Sequence, residues 1–131
     1  MSRRRPILVV DDDPTILATV ADALDLEGYL VRTATNGKEA LEALTDGDYH
    51  QRPRLVLLDM RMPVLDGWGF MRAVRERGLS LSVVVMTAAA DARRWAREVE
   101  AHDVLHKPFE LDELIAAVQR FCAAQTCRSE T

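Results

Sequence analysis

Four short apolar runs in this chain end on polar side chains that strand packing does not require. Asp11 and Asp12 follow the first run, Asp59 follows the second, Thr87 follows the third and Lys107 follows the last. In open parallel sheets, ligands and reacting groups collect beyond the carboxyl ends of the strands. We therefore expect these five side chains to lie together at one edge of a sheet.

The residue types at these strand ends suit phosphoryl chemistry that depends on a divalent cation. Three carboxylates without a cation repel one another, and oxygen ligands favour a hard ion such as Mg²⁺. A lysine neutralises charge on phosphoryl oxygens, and a hydroxyl group beside it leaves room for them. A carboxylate that the metal does not fully use, Asp59, is then the candidate nucleophile. Taken alone, an acid after a buried strand is also typical of a turn or a helix cap.

The elements that position these residues are predicted to alternate between strands and helices. Short, continuously apolar runs predict strands buried on both faces at 7–10, 55–58 and 83–86, and two further strands are predicted at 29–34 and 104–106. Apolar residues at three- and four-residue spacing predict helices from Pro14 to before Gly28, after Asn36, and over about 67–77, 91–101 and 111–121. Right-handed crossovers between five such units give a three-layer α/β sandwich with helices on both faces of one parallel sheet.

Length and composition predict one compact domain. The chain has 131 residues and is 48% hydrophobic, which suffices for one core and not for two. Its net charge of -4 argues against non-specific nucleic-acid binding, which needs many Lys and Arg residues. We expect neither a signal peptide nor a membrane span, because every apolar stretch is too short for one.

Several features receive no chemical role from the sequence. Cys122 and Cys127 lack companions at metal-ligand spacing and are predicted to be free thiols in a reducing compartment. The arginine run at 3–5 is predicted to be a solvated tail rather than an anion contact. The polar loop at 46–54 returns the chain to the third strand, and Trp95 is either an exposed contact or part of the core.

Together the motifs resemble the receiver domain of two-component response regulators, over residues 7–121. In the order typical of that family they are VVDD at 9–12, DMRMPVLDG at 59–67, MTA at 86–88 and KPF at 107–109. The resemblance implies a flavodoxin-like fold, with a five-stranded parallel sheet of order 2-1-3-4-5 and five helices. It also implies a flexible N-terminal tail at 1–6 and a C-terminal tail at 122–131 without an output domain. The loop at 46–54 is longer than is usual in the family.

The same resemblance implies a metal site built from four residues. Asp59 is implied to be the phosphoacceptor of a Mg²⁺-dependent transfer and a ligand of the ion. Asp12 is implied to bind Mg²⁺ directly and Asp11 through water, while the backbone carbonyl of Arg61 completes the protein ligands.

The resemblance also implies the phosphoryl contacts and the partners. Thr87, the backbone N–H of Ala88 and Lys107 contact the phosphoryl group, and the peptide before Pro108 is expected to be cis. The phosphoryl donor is a phosphohistidine of a histidine kinase or a phosphotransfer protein, and the phosphorylated form alters binding to a downstream protein. We expect a cytoplasmic monomer or weak dimer that does not bind DNA directly and catalyses only its own phosphotransfer and dephosphorylation.

Val104 departs from the family's pattern. At this switch position, receivers usually carry an aromatic ring whose rotation reports phosphorylation, and valine cannot make that movement. A degenerate receiver-like module that binds partners without phosphorylation therefore stays open, although all five chemical positions are intact. A Mg²⁺-dependent phosphohydrolase with an aspartyl nucleophile is nearly excluded. Such enzymes carry a DxD motif, and in this chain Arg61 stands two residues after Asp59, where the second acid of that motif would be.

Overall fold

Strands and helices alternate along the chain. The computed structural model describes residues 5–121, apart from the side chain of residue 50. The strands are β1 (Ile7–Val10), β2 (Val31–Ala34), β3 (Leu55–Asp59), β4 (Ser82–Thr87) and β5 (Asp103–His106). The helices are α1 (Pro14–Leu26), α2 (Gly37–Thr45), α3 (Gly67–Glu76), α4 (Ala92–Glu98) and α5 (Leu111–Phe121). A turn of 3₁₀ helix at Tyr49–Gln51 lies between α2 and β3.

The five strands form one parallel sheet in the order β2-β1-β3-β4-β5, which confirms the predicted fold. The register pairs Val10 with Leu58 and Asp59 with Met86. The carboxyl ends of β1, β3 and β4 therefore reach the same edge of the sheet.

The central strands β1, β3 and β4 contribute alternate side chains to two separate cores, because successive side chains of a strand point to opposite faces of the sheet. Leu8 and Val10 pack with residues of α2, α3 and α4, whereas Ile7 and Val9 pack with residues of α1 and α5. The sheet is therefore the middle layer of three, and the continuous apolar character of β1 and β3 follows from burial on both faces.

Short polar side chains begin the three helices that follow β1, β2 and β3. Asp13 accepts hydrogen bonds from the N–H groups of Thr15 and Ile16, so that it serves as the N-cap of α1. Asn36 and Asp66 cap α2 and α3 in the same way. These contacts satisfy amide groups that the first helical turn leaves without partners.

Two element boundaries differ from the prediction for the same physical reason. The N–H of Tyr29 donates to the carbonyl of Leu24, and the N–H of Ala101 donates to the carbonyl of Ala96. Each bond closes a turn around a left-handed residue, Gly28 with φ 91° and Glu100 with φ 56°. The N–H groups of Tyr29 and Ala101 are used by these turns, so regular pairing of β2 begins at Val31 and α4 ends at Glu98.

The predicted N-terminal tail at 1–6 is wrong for the two of its residues that the structure describes. Arg5 and Pro6 are both buried, and only 8% of Arg5 is exposed. Residues 1–4 lie outside the described residues, as do the C-terminal tail at 122–131 and its two cysteines, Cys122 and Cys127. Within residues 5–121, no helix is both long enough and apolar enough to cross a bilayer.

Candidate functional site

Parallel strand ends bring the three acids together. Asp11 follows β1 directly and Asp59 is the last residue of β3, its neighbour in the sheet. Carboxylate oxygens of Asp11, Asp12 and Asp59 all lie within 4.8 Å of one another. Asp11 and Asp59 are buried, whereas Asp12 is exposed. The cluster therefore has a buried floor and one acid at its solvent side.

Lys107 lies at the edge of this cluster, and two contacts fix its position. Its backbone N–H donates to the carbonyl of Thr87 at 2.8 Å, which ties the end of β5 to the end of β4. Its Nζ donates to Oδ2 of Asp11 at 2.6 Å and lies 3.9 Å from Oδ1 of Asp59. The Lys107–Pro108 peptide is cis, as predicted.

Thr87 and the residues after it line an open cavity above Asp59. The cavity has a volume of about 510 Å³, and its wall includes Asp59, Arg61, residues 87–91, Trp95 and Lys107. Oγ1 of Thr87 accepts a hydrogen bond from the N–H of Ala89 at 3.1 Å. The small side chains at 88–90 leave space for a group larger than water next to the Asp59 carboxylate.

The surroundings of Asp59 favour its protonated form more than water does. Burial and the nearby Asp11 carboxylate raise the pKa of Asp59 to about 6, while Lys107 and the N–H of Arg61 act in the opposite direction. Asp12 adds a smaller effect that also raises this pKa. At pH 7 Asp59 is therefore mainly ionised, but in a site where negative charge exceeds positive charge.

This donor set fits a hard divalent cation. Three carboxylates face one lysine, and carboxylate oxygen is the ligand type that Mg²⁺ prefers. The N–H of Arg61 donates weakly to Oδ1 of Asp59 at 3.4 Å, which holds the peptide after β3 close to the acids. The residues that would hold the ion are therefore Asp11, Asp12 and Asp59, with the Arg61 backbone beside them.

Trp95 is a residue of this site that the sequence did not assign. It is buried, and its ring lies 5.0 Å from Cζ of Arg61 and 4.9 Å from the ring of Trp68 in an edge-on contact. Nε1 of Trp68 donates to Oε1 of Glu98 at 3.0 Å. The contacts of Arg61 with Trp95, of Trp95 with Trp68 and of Trp68 with Glu98 therefore join the loop after Asp59 to α4. The helical spacing of Ala92, Trp95 and Ala96 was the available signal, since all three are buried on one face of α4. Val104, by contrast, lies outside the cavity of Asp59.

Gly67 holds the loop after Asp59 against the start of α3. Its N–H donates to the carbonyl of Met60 at 2.9 Å, and a Cβ atom at this position would lie 2.8 Å from Cα of Met60. We expect Gly67→Ala to lower the free energy of unfolding by about 1 to 3 kcal/mol, because backbone must move to relieve the overlap. Urea denaturation measures this difference.

Gly69→Ala is the matched control for this substitution. A Cβ atom at Gly69 would meet the end of the flexible Leu65 side chain, which is able to turn away. Alanine is also the better helix former by about 1 kcal/mol, so Gly69→Ala should be neutral or stabilising. Equal losses of stability in both variants would contradict this explanation of Gly67.

The fold and this site define a class of signalling domain. A family model described as the response regulator receiver domain matches residues 7–119. The chain therefore belongs to the family of response regulator receiver domains. It is 40% identical to the transcriptional regulatory protein PrrA of Mycobacterium tuberculosis, over 95% of this chain and 54% of PrrA. It is 38% identical to the DNA-binding transcriptional regulator NtrC of Escherichia coli, over 90% of this chain and 25% of NtrC.

Solved structures of the same family have the same fold. The receiver domain of NtrX from Brucella abortus has a TM-score of 0.77 and 35% identity, over 87% of this chain and 95% of that domain. The response regulator protein TrrA from Thermotoga maritima, solved in complex with Mg(2+)-BeF, has a TM-score of 0.76 and 34% identity, over 90% of this chain and 98% of that one. The chain spans about half of PrrA and a quarter of NtrC, so it corresponds to one part of those relatives.

Proposed function

We propose that this chain is a phosphorylation-dependent switch in which Asp59 accepts a phosphoryl group from a phosphohistidine. The observation that carries the proposal is a nucleophilic carboxylate at the floor of an open cavity, with Asp11, Asp12, Thr87 and Lys107 around it. The donor would be a histidine kinase or a phosphotransfer protein, since receiver domains of response regulators act with histidine kinases and effector domains.

The proposed transfer uses the ionised carboxylate of Asp59. One of its oxygens attacks phosphorus, the P–N bond of the donor breaks, and the imidazole leaves while an acyl phosphate forms on Asp59. A Mg²⁺ ion held by Asp11, Asp12, Asp59 and the Arg61 carbonyl would offset the negative charge of the phosphoryl oxygens. Hydrolysis of the acyl phosphate by water returns the starting state, and we propose that the domain also catalyses this step.

Lys107 and the end of β4 would bind the transferred group. The ammonium of Lys107 is shared between Asp11 and Asp59, so a phosphoryl group on Asp59 would enter its reach without a large movement. The hydroxyl of Thr87 and the backbone N–H of Ala88 line the same cavity and are proposed to donate to the other phosphoryl oxygens.

Phosphorylation by a small donor tests this proposal. Incubation with acetyl phosphate and Mg²⁺ is expected to add the mass of one phosphoryl group, and incubation with EDTA in place of Mg²⁺ is expected to add none. Intact-mass spectrometry under mildly acidic conditions measures both. Unmodified protein at saturating acetyl phosphate and Mg²⁺ would instead support a module that binds its partners without phosphorylation.

The site does not favour the alternative functions considered from the sequence. All five chemical positions are present and meet in one cavity or at its edge, so a degenerate module is not favoured. The guanidinium of Arg61 stacks over Trp95, and no carboxylate stands at that position for the general acid of an aspartyl phosphohydrolase. The predicted cytoplasmic location, oligomeric state and absence of direct DNA binding stay predictions.

Val104 leads to a prediction about how phosphorylation is read. It is half-buried beside an open cavity of about 410 Å³ whose wall includes Arg94, His106 and Glu113, on the face formed by α4, β5 and α5. Because valine has no ring to rotate, we expect phosphorylation to alter this face slightly, through backbone shifts that begin at 88–91. Amide hydrogen exchange with and without acetyl phosphate measures the response. A strong change in protection at 104–107 with none at 88–91 would contradict the prediction.

A further inference from the structure

A second pocket lies at the end of the sheet opposite Asp59. Its wall includes Arg5, which precedes β1, Arg54, which precedes β3, and residues 78–81, which precede β4. Tyr49 and Arg52 of the loop between α2 and β3 complete its polar lining. We call this pocket, of about 160 Å³, the basic pocket. It is built from Arg5, the last residue of the arginine run, and from the polar loop at 46–54, sequence features to which the phosphoryl site gives no role.

Three guanidinium groups in this pocket surround the side chain of Tyr49. Cζ of Arg5 lies 4.8 Å from the centre of the ring and Cζ of Arg52 lies 5.9 Å from it. A hydrogen bond from Arg54 and the charges of Arg54 and Arg5 lower the pKa of the Tyr49 hydroxyl. The π face and the phenol oxygen partly offset the positive charge, but neither is an anion.

No carboxylate compensates these charges among the residues that line the pocket. Within residues 5–121, none of Arg5, Arg52 and Arg54 forms an ion pair with an acid. The absence is notable because acids outnumber bases in the chain, 21 to 17. Guanidinium groups stay charged at all physiological pH values, so the three repel one another. Burial strengthens the repulsion between Arg5, which is only 8% exposed, and the half-buried Arg52, whereas Arg54 is exposed and better screened by water.

The hydrogen bonds of these arginines are also incomplete. Nη1 of Arg5 donates to the carbonyl of Arg52 at 3.2 Å, and Nη2 of Arg52 donates to the carbonyl of Gly47 at 3.2 Å. Nε of Arg52 is buried and has no acceptor, alone among the buried side-chain polar atoms of the described residues. This nitrogen is shielded from solvent and is not itself a contact for a ligand, but it shows that the hydrogen bonding of Arg52 is incomplete.

We propose that the basic pocket binds a small oxyanion of the phosphate type. Such an anion supplies the negative charge that the pocket lacks and accepts hydrogen bonds from the guanidinium groups at its wall, whose geometry it matches. A volume of about 160 Å³ holds a phosphate group but leaves no room for a nucleotide. Two sources share this chemistry, free inorganic phosphate and a small phosphomonoester.

Titration of the unphosphorylated wild-type chain tests the site directly. Backbone amide resonances are followed by NMR without Mg²⁺ and at constant ionic strength, with sodium phosphate, glycerol phosphate or sodium acetate added. We expect saturable shifts at Gly47, Arg52, Arg54 and residues 78–81 with phosphate, and saturation at a lower concentration of glycerol phosphate if the ligand is an ester. Shifts that do not saturate, or that appear only around Asp59 and Lys107, would overturn the proposal.

Charge-removing variants provide the second arm of the experiment. Arg54→Gln and Arg52→Gln should each weaken phosphate binding about tenfold, the loss expected for one charge-assisted hydrogen bond. Arg72→Gln is the matched control, because Arg72 is exposed on α3 and does not line the basic pocket. Equal affinity in all three variants and the wild type would overturn the proposal. The outcome is independent of phosphorylation at Asp59, since no Mg²⁺ or phosphoryl donor is present.

Discussion

Asp59→Asn is expected to abolish phosphorylation of this domain by acetyl phosphate and Mg²⁺. The amide of asparagine has no negative charge and is a poor nucleophile, and the other acids of the cluster are differently placed. Asp11 is the weaker nucleophile, because its Oδ2 accepts a hydrogen bond from Lys107 at 2.6 Å and its Oδ1 accepts one from the N–H of Asp13 at 2.9 Å. Asp12 is exposed, outside the buried floor of the cluster. Intact-mass spectrometry should therefore show no addition in this variant.

Asp13→Asn is the matched control for this experiment. It makes the same chemical change two residues from Asp11, and asparagine caps a helix about as well as aspartate. We expect this variant to fold with wild-type stability and to accept one phosphoryl group. Phosphorylation of Asp59→Asn, or its loss in Asp13→Asn, would contradict the assignment of Asp59 as the phosphoacceptor.

Mg²⁺ is expected to stabilise the folded domain, because the ion binds an acid cluster that exists only after folding. With a dissociation constant of about 1 mM and about 10 mM Mg²⁺, the gain is RT ln 11, roughly 1.4 kcal/mol. For a domain of this size that gain raises the melting temperature by about 3 to 8 °C. Thermal unfolding in MgCl₂ and in NaCl of equal ionic strength measures the difference. Equal melting temperatures in the two salts would contradict a metal site.

The pH dependence of the metal-free protein should show the cost of a negative charge on Asp59 in the folded state. The pKa of Asp59 is raised from its ordinary value of 3.8 to about 6, mainly by burial and by Asp11. Well below the ordinary pKa of 3.8 the group is neutral in both states, so its effect on folding is absent. Between pH 3.8 and about 6 the unfolded state ionises while the folded state keeps its proton, so the stability of the folded state falls across this interval and levels off at higher pH. Mg²⁺ should remove most of this loss.

Asp12→Asn tests two effects of Asp12 separately: its electrostatic repulsion of Asp59 and its binding of Mg²⁺. Asp12 has the smallest effect on the pKa of Asp59, so its removal should stabilise the metal-free protein only slightly. The same substitution removes a metal ligand and should abolish most of the Mg²⁺-dependent rise in melting temperature. Thermal unfolding of this variant with and without Mg²⁺ measures both effects. A rise equal to that of the wild type would exclude Asp12 from the metal site.

The sequence by itself determined the fold and the cluster of polar residues at the strand ends. Apolar runs that are buried on both faces belong to parallel sheets, and parallel strands end at a shared edge, so their terminal residues must meet. For this reason Asp11, Asp59, Thr87 and Lys107 were predictable as a group. The N-caps at Asp13 and Asn36 were predictable as well, because capping depends on residues a few positions apart.

Only the tertiary structure decided which distant loops share a surface. Arg5 looked like part of a solvated tail, yet it is buried against Tyr49 and Arg52 of a loop that is remote in sequence. Trp95 had two interpretations until its contacts with Arg61 and Trp68 placed it in the wall of the site. A local sequence pattern shows whether a side chain is apolar or charged, but it does not show which distant loop will contact that side chain in the folded protein. The basic pocket and the aromatic wall depend on the path of the folded chain, so no motif in the sequence contained them.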